Sequence, residues 1–153
     1  PPRHPHYPVS TRRPPTACGP PLSLERPTPV YELHIEAVFS AAHAITVGGV
    51  REHLHGHDWN VIACLRGAEL DDDGLVCDFH TIEDHLHSIT ARFNSRNLNE
   101  TPPFDRVNPT AELVAKHFYD ELAKALPSDV TLGWVKISES PGCWAVYLGP
   151  NRA

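Results

Sequence analysis

The chain has 153 residues, 41% of them hydrophobic, and a formal charge of −6. That length suits one domain with a real core, and the acidic balance argues against nucleic acid, whose phosphates need a basic face. No apolar run reaches the roughly 20 residues of a membrane span, and no secretory signal pattern is present. The four cysteines, Cys18, Cys64, Cys77 and Cys143, form no C-x-x-C pair. They read as free thiols in a reducing, cytoplasmic compartment, each packed as a small hydrophobe.

Residues 1–29 read as a proline-rich flexible tail: ten of the sixteen prolines fall in the first 30 residues, without apolar periodicity. The same stretch carries Arg3, Arg12, Arg13 and Arg26 against Glu25, which leaves the remainder near −9. An anionic substrate would then need a locally positive site. The domain spans residues 30–153. From Tyr31 to His43 apolar residues alternate with Glu32, His34 and Glu36, the pattern of a half-buried strand. A loop with Gly48-Gly49 leads to a second alternating run, Leu54–Arg66, with Trp59, Val61, Ala63 and Leu65 on one face. Asp71-Asp72-Asp73 marks a solvated turn. Phe79, Ile82, Leu86, Ile89 and Phe93 then form the stripe of an amphipathic helix. Asn108-Pro109 suggests a cap followed by proline at the first position of a second helix, which Pro127 stops. Strands over 130–139 and 143–148 close the chain. The order β-β-α-α-β-β predicts an α+β domain, an antiparallel sheet with two helices on one face. His80, His85, His87 and His117 are expected on helix surfaces facing solvent.

His55 and His57 are one residue apart, so a strand puts both imidazoles on one face. His43 shares the parity of Phe39 and Ala41, and closure of the intervening hairpin brings it opposite that pair. Three imidazoles suit zinc and leave a fourth position open, as catalytic zinc requires. Gly56 between two of them leaves room for a close approach. His53 and Glu52 are the alternative ligands.

Phe39-Ser40-Ala41-Ala42-His43 and Leu54-His55-Gly56-His57-Asp58-Trp59-Asn60-Val61 resemble the 6-pyruvoyl-tetrahydropterin and 6-carboxytetrahydropterin synthase family. So do Gly74-Leu75-Val76-Cys77-Asp78-Phe79, Asn108-Pro109-Thr110-Ala111-Glu112, and Ser138-Glu139-Ser140-Pro141 with Tyr147. The resemblance spans residues 31–149. It implies the tunnelling fold, in which subunits join into barrels as homo-oligomers, trimers or hexamers. It further implies zinc at His43, His55 and His57, and a pterin anchored by Glu139, with Thr110 and Glu112 as lesser binding residues. One carboxylate can accept hydrogen bonds from both the exocyclic amine and the adjacent ring N–H of a pterin.

Two departures stand out. The family's catalytic cysteine position, four residues before the first histidine of H-G-H, holds Arg51, with Glu52 beside it. This looks like the branch in which a glutamate replaces the cysteine, associated with 6-hydroxymethyl-dihydropterin. The family's Asp-His pair before Leu-Asn is here Asn94-Ser95, neither a general acid nor a base near neutral pH. The expected activity is a zinc-dependent lyase on the small molecule 7,8-dihydroneopterin triphosphate. Its product would be 6-carboxy-tetrahydropterin, 6-pyruvoyl-tetrahydropterin or 6-hydroxymethyl-dihydropterin. Glu52 is the expected base, its pKa raised if the pocket buries it; His53 would be a replacement proton donor, and Arg51 the receiver of the anionic end. The alternative is a zinc-containing pterin- or purine-binding module without catalysis.

Overall fold

The structure, a computed structural model, describes residues 31–127 and 130–150. The expected proline-rich tail and Cys18 lie outside the described residues. Strand β1 (Tyr31–His43) is followed by a small ribbon, β2 (Thr46–Val47) and β3 (Val50–Arg51), and then by β4 (His55–Gly67). β1 and β4 pair antiparallel along their whole length, from Tyr31 opposite Gly67 to His43 opposite His55. The alternation read from the sequence decides which side is buried. Ile35, Ala37, Phe39, Ala41 and His43 of β1 meet Trp59, Val61, Ala63 and Leu65 of β4 in one core. The Gly48-Gly49 segment is a paired ribbon rather than a loop. Both glycines have positive φ, 57° and 83°, which lets two residues reverse the chain.

Helix α1 (Phe79–Ala91) is capped by the Asp78 carboxylate, which accepts from the His80 amide. Its buried stripe starts at Ile82, because Phe79 is exposed; Phe93, past the helix end, is fully buried. A two-residue strand β5 (Arg96–Asn97) and one 3-10 turn (Leu98–Glu100) follow. Helix α2 (Ala111–Ala123) is capped by Thr110, not by Asn108, and Pro109 lies before its first turn. The Asn108 amide is engaged elsewhere: it accepts from Thr46 N and donates to Thr46 O. β6 (Thr131–Ser140) and β7 (Cys143–Tyr147) complete a sheet of order β5-β1-β4-β6-β7. The sheet is mixed rather than wholly antiparallel, since β5 runs parallel to β1. α1 lies on β1, and α2 on β6 and β7. The fold is α+β with both helices over the buried face of the sheet.

Three smaller expectations are met in part. Asp71 does form a turn, its carboxylate accepting from the amides of Asp73 and Leu75. His80 and His87 are exposed, but His117 is not a surface residue: its ring packs against Phe93 and Phe104, and its Nε2 is buried without a partner. The helix turns this position toward the aromatic core, next to Phe118. Cys64 is buried as expected, whereas Cys143 is exposed on the last hairpin. Among the described residues no helix is long and apolar enough to cross a membrane.

Candidate metal centre and adjoining pocket

The strand register places the three histidines. His43 is directly opposite His55, and Ala41 opposite His57, so the rings converge at one end of the β1–β4 pair. Ring centroids are 4.8 Å apart for His43–His55 and His55–His57, and 5.3 Å for His43–His57. One donor nitrogen from each lies within 4.8 Å of the others. Trp59 forms an apolar floor, its ring 4.8 Å from His43.

Two backbone carbonyls orient the rings. His43 Nδ1 is 2.8 Å from Pro109 O, and His55 Nδ1 is 2.8 Å from His53 O. A carbonyl only accepts, so each Nδ1 carries the proton and each Nε2 is left with a lone pair, the tautomer a metal ligand needs. The Nε2 atoms of His43 and His57 are buried without hydrogen-bond partners. Such orphans are rare in a folded protein and call for a ligand. His43 is 1% exposed, and burial pushes its pKa below the ordinary histidine value, favouring the neutral ring. The donor set therefore fits a divalent ion of zinc type. His53 is exposed on the bend before β4 and contributes its carbonyl, not its ring, to this centre.

Glu139 joins the histidines to a pocket. Its Oε2 is 3.4 Å from His43 Nε2, close but not in hydrogen-bond geometry. The carboxylate opens onto a cavity of about 400 Å³ that Thr110 and Glu112 also line, with Ile45, Val47 and Trp144 as apolar walls. Thr110 doubles as the α2 cap, accepting from Leu113 N. Glu139, Thr110 and Glu112, scattered in the chain, thus share one pocket beside the histidines. Sequence reasoning missed Trp144 and Cys143, which also line it. The larger cavity, about 630 Å³ beside Asp71 and Asp78, contains no histidine and none of these groups.

A profile of the family described as 6-pyruvoyl tetrahydropterin synthase matches residues 32–150. The chain belongs to this family. It is 32% identical over 126 residues to the 6-carboxy-5,6,7,8-tetrahydropterin synthase of Bacillus subtilis, covering 76% of this chain and 84% of that one. It is 33% identical over 96 residues to the dihydroneopterin monophosphate aldolase of Pyrococcus furiosus, covering 63% and 78%. The solved 6-pyruvoyl tetrahydropterin synthase of Caenorhabditis elegans shares its fold, with TM-score 0.71, 24% identity, and coverage of 80% of this chain and 98% of that one.

The positions that depart from the family pattern occupy the outer parts of the site. Arg51 and Glu52 are exposed at the end of β3, where Arg51 pairs with Thr46 and the Glu52 amide donates to Ile45 O at 2.9 Å. Within one chain Glu52 therefore lacks the burial expected of it. Asn94 and Ser95 instead fasten the end of α1 to the β1 edge. Asn94 Oδ1 accepts from Ser40 N, and Ser95 N donates to Ser40 O. Ser95 holds φ 58°, a conformation that non-glycine residues seldom adopt. Gly56 is not required by its own chain, since an added Cβ would meet only Ala41 O, at 4.0 Å.

Proposed function

We propose that this protein is a zinc-dependent pterin lyase acting on the side chain of 7,8-dihydroneopterin triphosphate. One observation carries the reading: two buried, partnerless imidazole nitrogens stand beside a carboxylate that opens into a pocket. His43, His55 and His57 would hold the metal through Nε2. Zinc held there supplies Lewis-acid polarisation of side-chain oxygens.

The remaining work falls to the chain's own residues. Glu139 accepts the pterin exocyclic amine and ring N–H, a paired, charge-assisted recognition. Ile45, Val47 and Trp144 exclude water from the ring faces, and Thr110 and Glu112 bound its edge. Glu52 takes the proton of the C2′ hydroxyl as the C1′–C2′ bond breaks. The electron pair enters the pterin ring, and a proton returns to C1′, leaving 6-hydroxymethyl-dihydropterin and a phosphorylated aldehyde. Glu52, beside the position of the missing thiol, supports this product over the 6-carboxy and 6-pyruvoyl pterins, as does the similarity to an aldolase. His53 is the reserve proton donor, and Arg51 receives the anionic end. The edge strands β5 and β7 have unpaired sides, which supports closure of several copies into a barrel, as a homotrimer or hexamer.

The second reading, a pterin-binding module without turnover, is favoured by the structural use of Asn94 and Ser95 at Ser40. The deciding experiment incubates the zinc-loaded protein with 7,8-dihydroneopterin triphosphate and identifies products by mass spectrometry. 6-Hydroxymethyl-dihydropterin is expected. Absence of any product, with pterin binding retained, would select the module.

A further inference from the structure

Glu32, His34 and Cys64 form another cluster of metal-ligating side chains, with one donor atom from each within 4.8 Å of the others. The strand register builds it. His34 is directly opposite Cys64 on β4, and Cys64 is opposite Trp134 on β6, so these side chains form one row across the sheet. Glu32, two positions before His34, is opposite Arg66. The alternation of β1 turns this row away from the helices, since Ile35 and Ala37 face the core. Cys64 is fully buried yet does not join the hydrophobic core cluster. Its thiol neighbours Glu32, His34 and Arg66 instead. Arg66 donates from Nε at 2.8 Å and Nη2 at 2.7 Å to the same oxygen of Glu32, Oε1. The other oxygen, Oε2, is left toward His34 Nε2 at 3.6 Å. The His34 ring packs on Trp134, with centroids 5.0 Å apart. A β-bulge makes room for the guanidinium. The β4–β6 register slips between Cys64 and Leu65, so Gly133 is the extra residue, and a Cβ there would meet Arg66 Nε at 3.2 Å.

We propose that Glu32, His34 and Cys64 form a metal site separate from the histidine centre, for a soft divalent cation of the zinc and cadmium class. Glu32 Oε2, His34 Nε2 and Cys64 Sγ bind the ion, and solvent takes the fourth position. Thiolate and imidazole select such ions over magnesium and calcium. Arg66 is the outer partner of the carboxylate ligand: it fixes its orientation, and its hydrogen bond holds the Glu32 carboxyl below the usual range. The ion ties β1 to β4 at the end of the strand pair remote from His43 and His55, roughly 30 Å along the strand. The two sites therefore fill independently, and this one does not depend on the pterin reading. It is also the weaker. Burial pushes the Cys64 thiol up, so binding must displace its proton, and the Arg66 charge opposes a dication. Metal retained through purification stays at the imidazoles, and the Cys64 site takes up added metal.

The experiment titrates the reduced, zinc-loaded protein with cadmium chloride. A cadmium–thiolate bond gives an ultraviolet charge-transfer band that imidazole and carboxylate ligands do not, so the histidine centre is silent. In the wild type the band should develop and saturate at about one cadmium per chain. Cys64→Ser should abolish it. His34→Ala should raise the half-saturating concentration at least about tenfold, and Glu32→Gln about threefold or more. His55→Ala, which breaks the histidine centre, should leave the band and its midpoint unchanged. A wild type without the band overturns the site, as does a full band in Cys64→Ser, which assigns the sulfur to another cysteine. An unchanged midpoint in His34→Ala overturns it equally. That last test holds even if Cys64→Ser does not fold, because the His34 side chain is half-exposed.

Discussion

His43, His55 and His57 stand on two strands of 13 residues each, paired along their entire length. Arg51, Glu52 and His53 stand on a two-residue strand and the bend after it, open to solvent. The first group is fixed three times over, by register, by the Trp59 floor, and by carbonyls on two of the three rings. The second is held by backbone groups alone: the Thr46–Arg51 pairing, the Glu52 amide and the His53 carbonyl. A sheet can place metal ligands by itself, because alternation and register specify both face and position. A base on a short ribbon gains its surroundings only when substrate or another copy covers it. The proposed metal half of the site is thus complete within one chain, and the proposed proton-transfer half is not.

The largest effects should come from the rigid half. Wild-type protein should carry close to one zinc per chain by elemental analysis, and His55→Ala or His57→Ala should each abolish it, since two imidazoles remain. Full zinc content in both variants would remove the histidine centre and the contrast with it. In the open half, Glu52→Gln keeps the shape and deletes the proposed base. Turnover should fall by about two orders of magnitude with pterin affinity near wild type. Wild-type rates in that variant would transfer the base to His53 or a cysteine.

Most of the rigid half was legible in the sequence, because it obeys period two. Phe39, Ala41 and His43 on one strand, and His55, His57 and Trp59 on the other, could be assigned to one face before any pairing was known. The clamps were not legible. Asn108 reads as a helix cap by type and spacing, yet its amide binds Thr46, sixty-two positions away; no local rule favours the distant partner. The Asn99 amide, which makes two hydrogen bonds to Ala44, is equally silent. Trp144 and Cys143 enter the pocket because β7 folds back on β6, a consequence of topology rather than pattern. Glu139 was legible through its parity with Val135 and Ile137, though only the fold brings it within 3.4 Å of His43.

Glu139 lies at the rim of the candidate metal centre and on the cavity proposed to take the pterin. Glu139→Gln exchanges one acceptor for a donor opposite a pterin N–H and removes the charge. A charge-assisted pair is worth about 1.5–3 kcal/mol, so the neopterin dissociation constant should rise roughly tenfold to a hundredfold. Zinc content should stay near wild type, because the three imidazoles are untouched. An unchanged dissociation constant would mean that the ring lies elsewhere.

The smallest effect separates a functional orphan from a structural one. His43 and His117 both bury an Nε2 without a partner. The His43 nitrogen faces two histidines and a carboxylate, whereas His117 is set between Phe93 and Phe104, with ring centroids at 5.6 and 5.4 Å. Burial lowers the His117 pKa from its ordinary 6.5. The folded state then binds this proton more weakly than the unfolded chain does. Stability linked to His117 is full above the unfolded value and is lost as pH falls below about 6.5 toward the folded pKa. His117→Leu removes the orphan and keeps an apolar group among the phenylalanines. The variant should match or exceed wild type in urea denaturation at pH 8. Its advantage should grow between pH 8 and pH 5, because only the wild type carries the proton-linked loss. All other groups are the same in the two proteins, so their contribution cancels in the comparison. A difference that stays constant between pH 8 and pH 5 would show that His117 protonates as readily folded as unfolded, and that its packing among the phenylalanines opens to water.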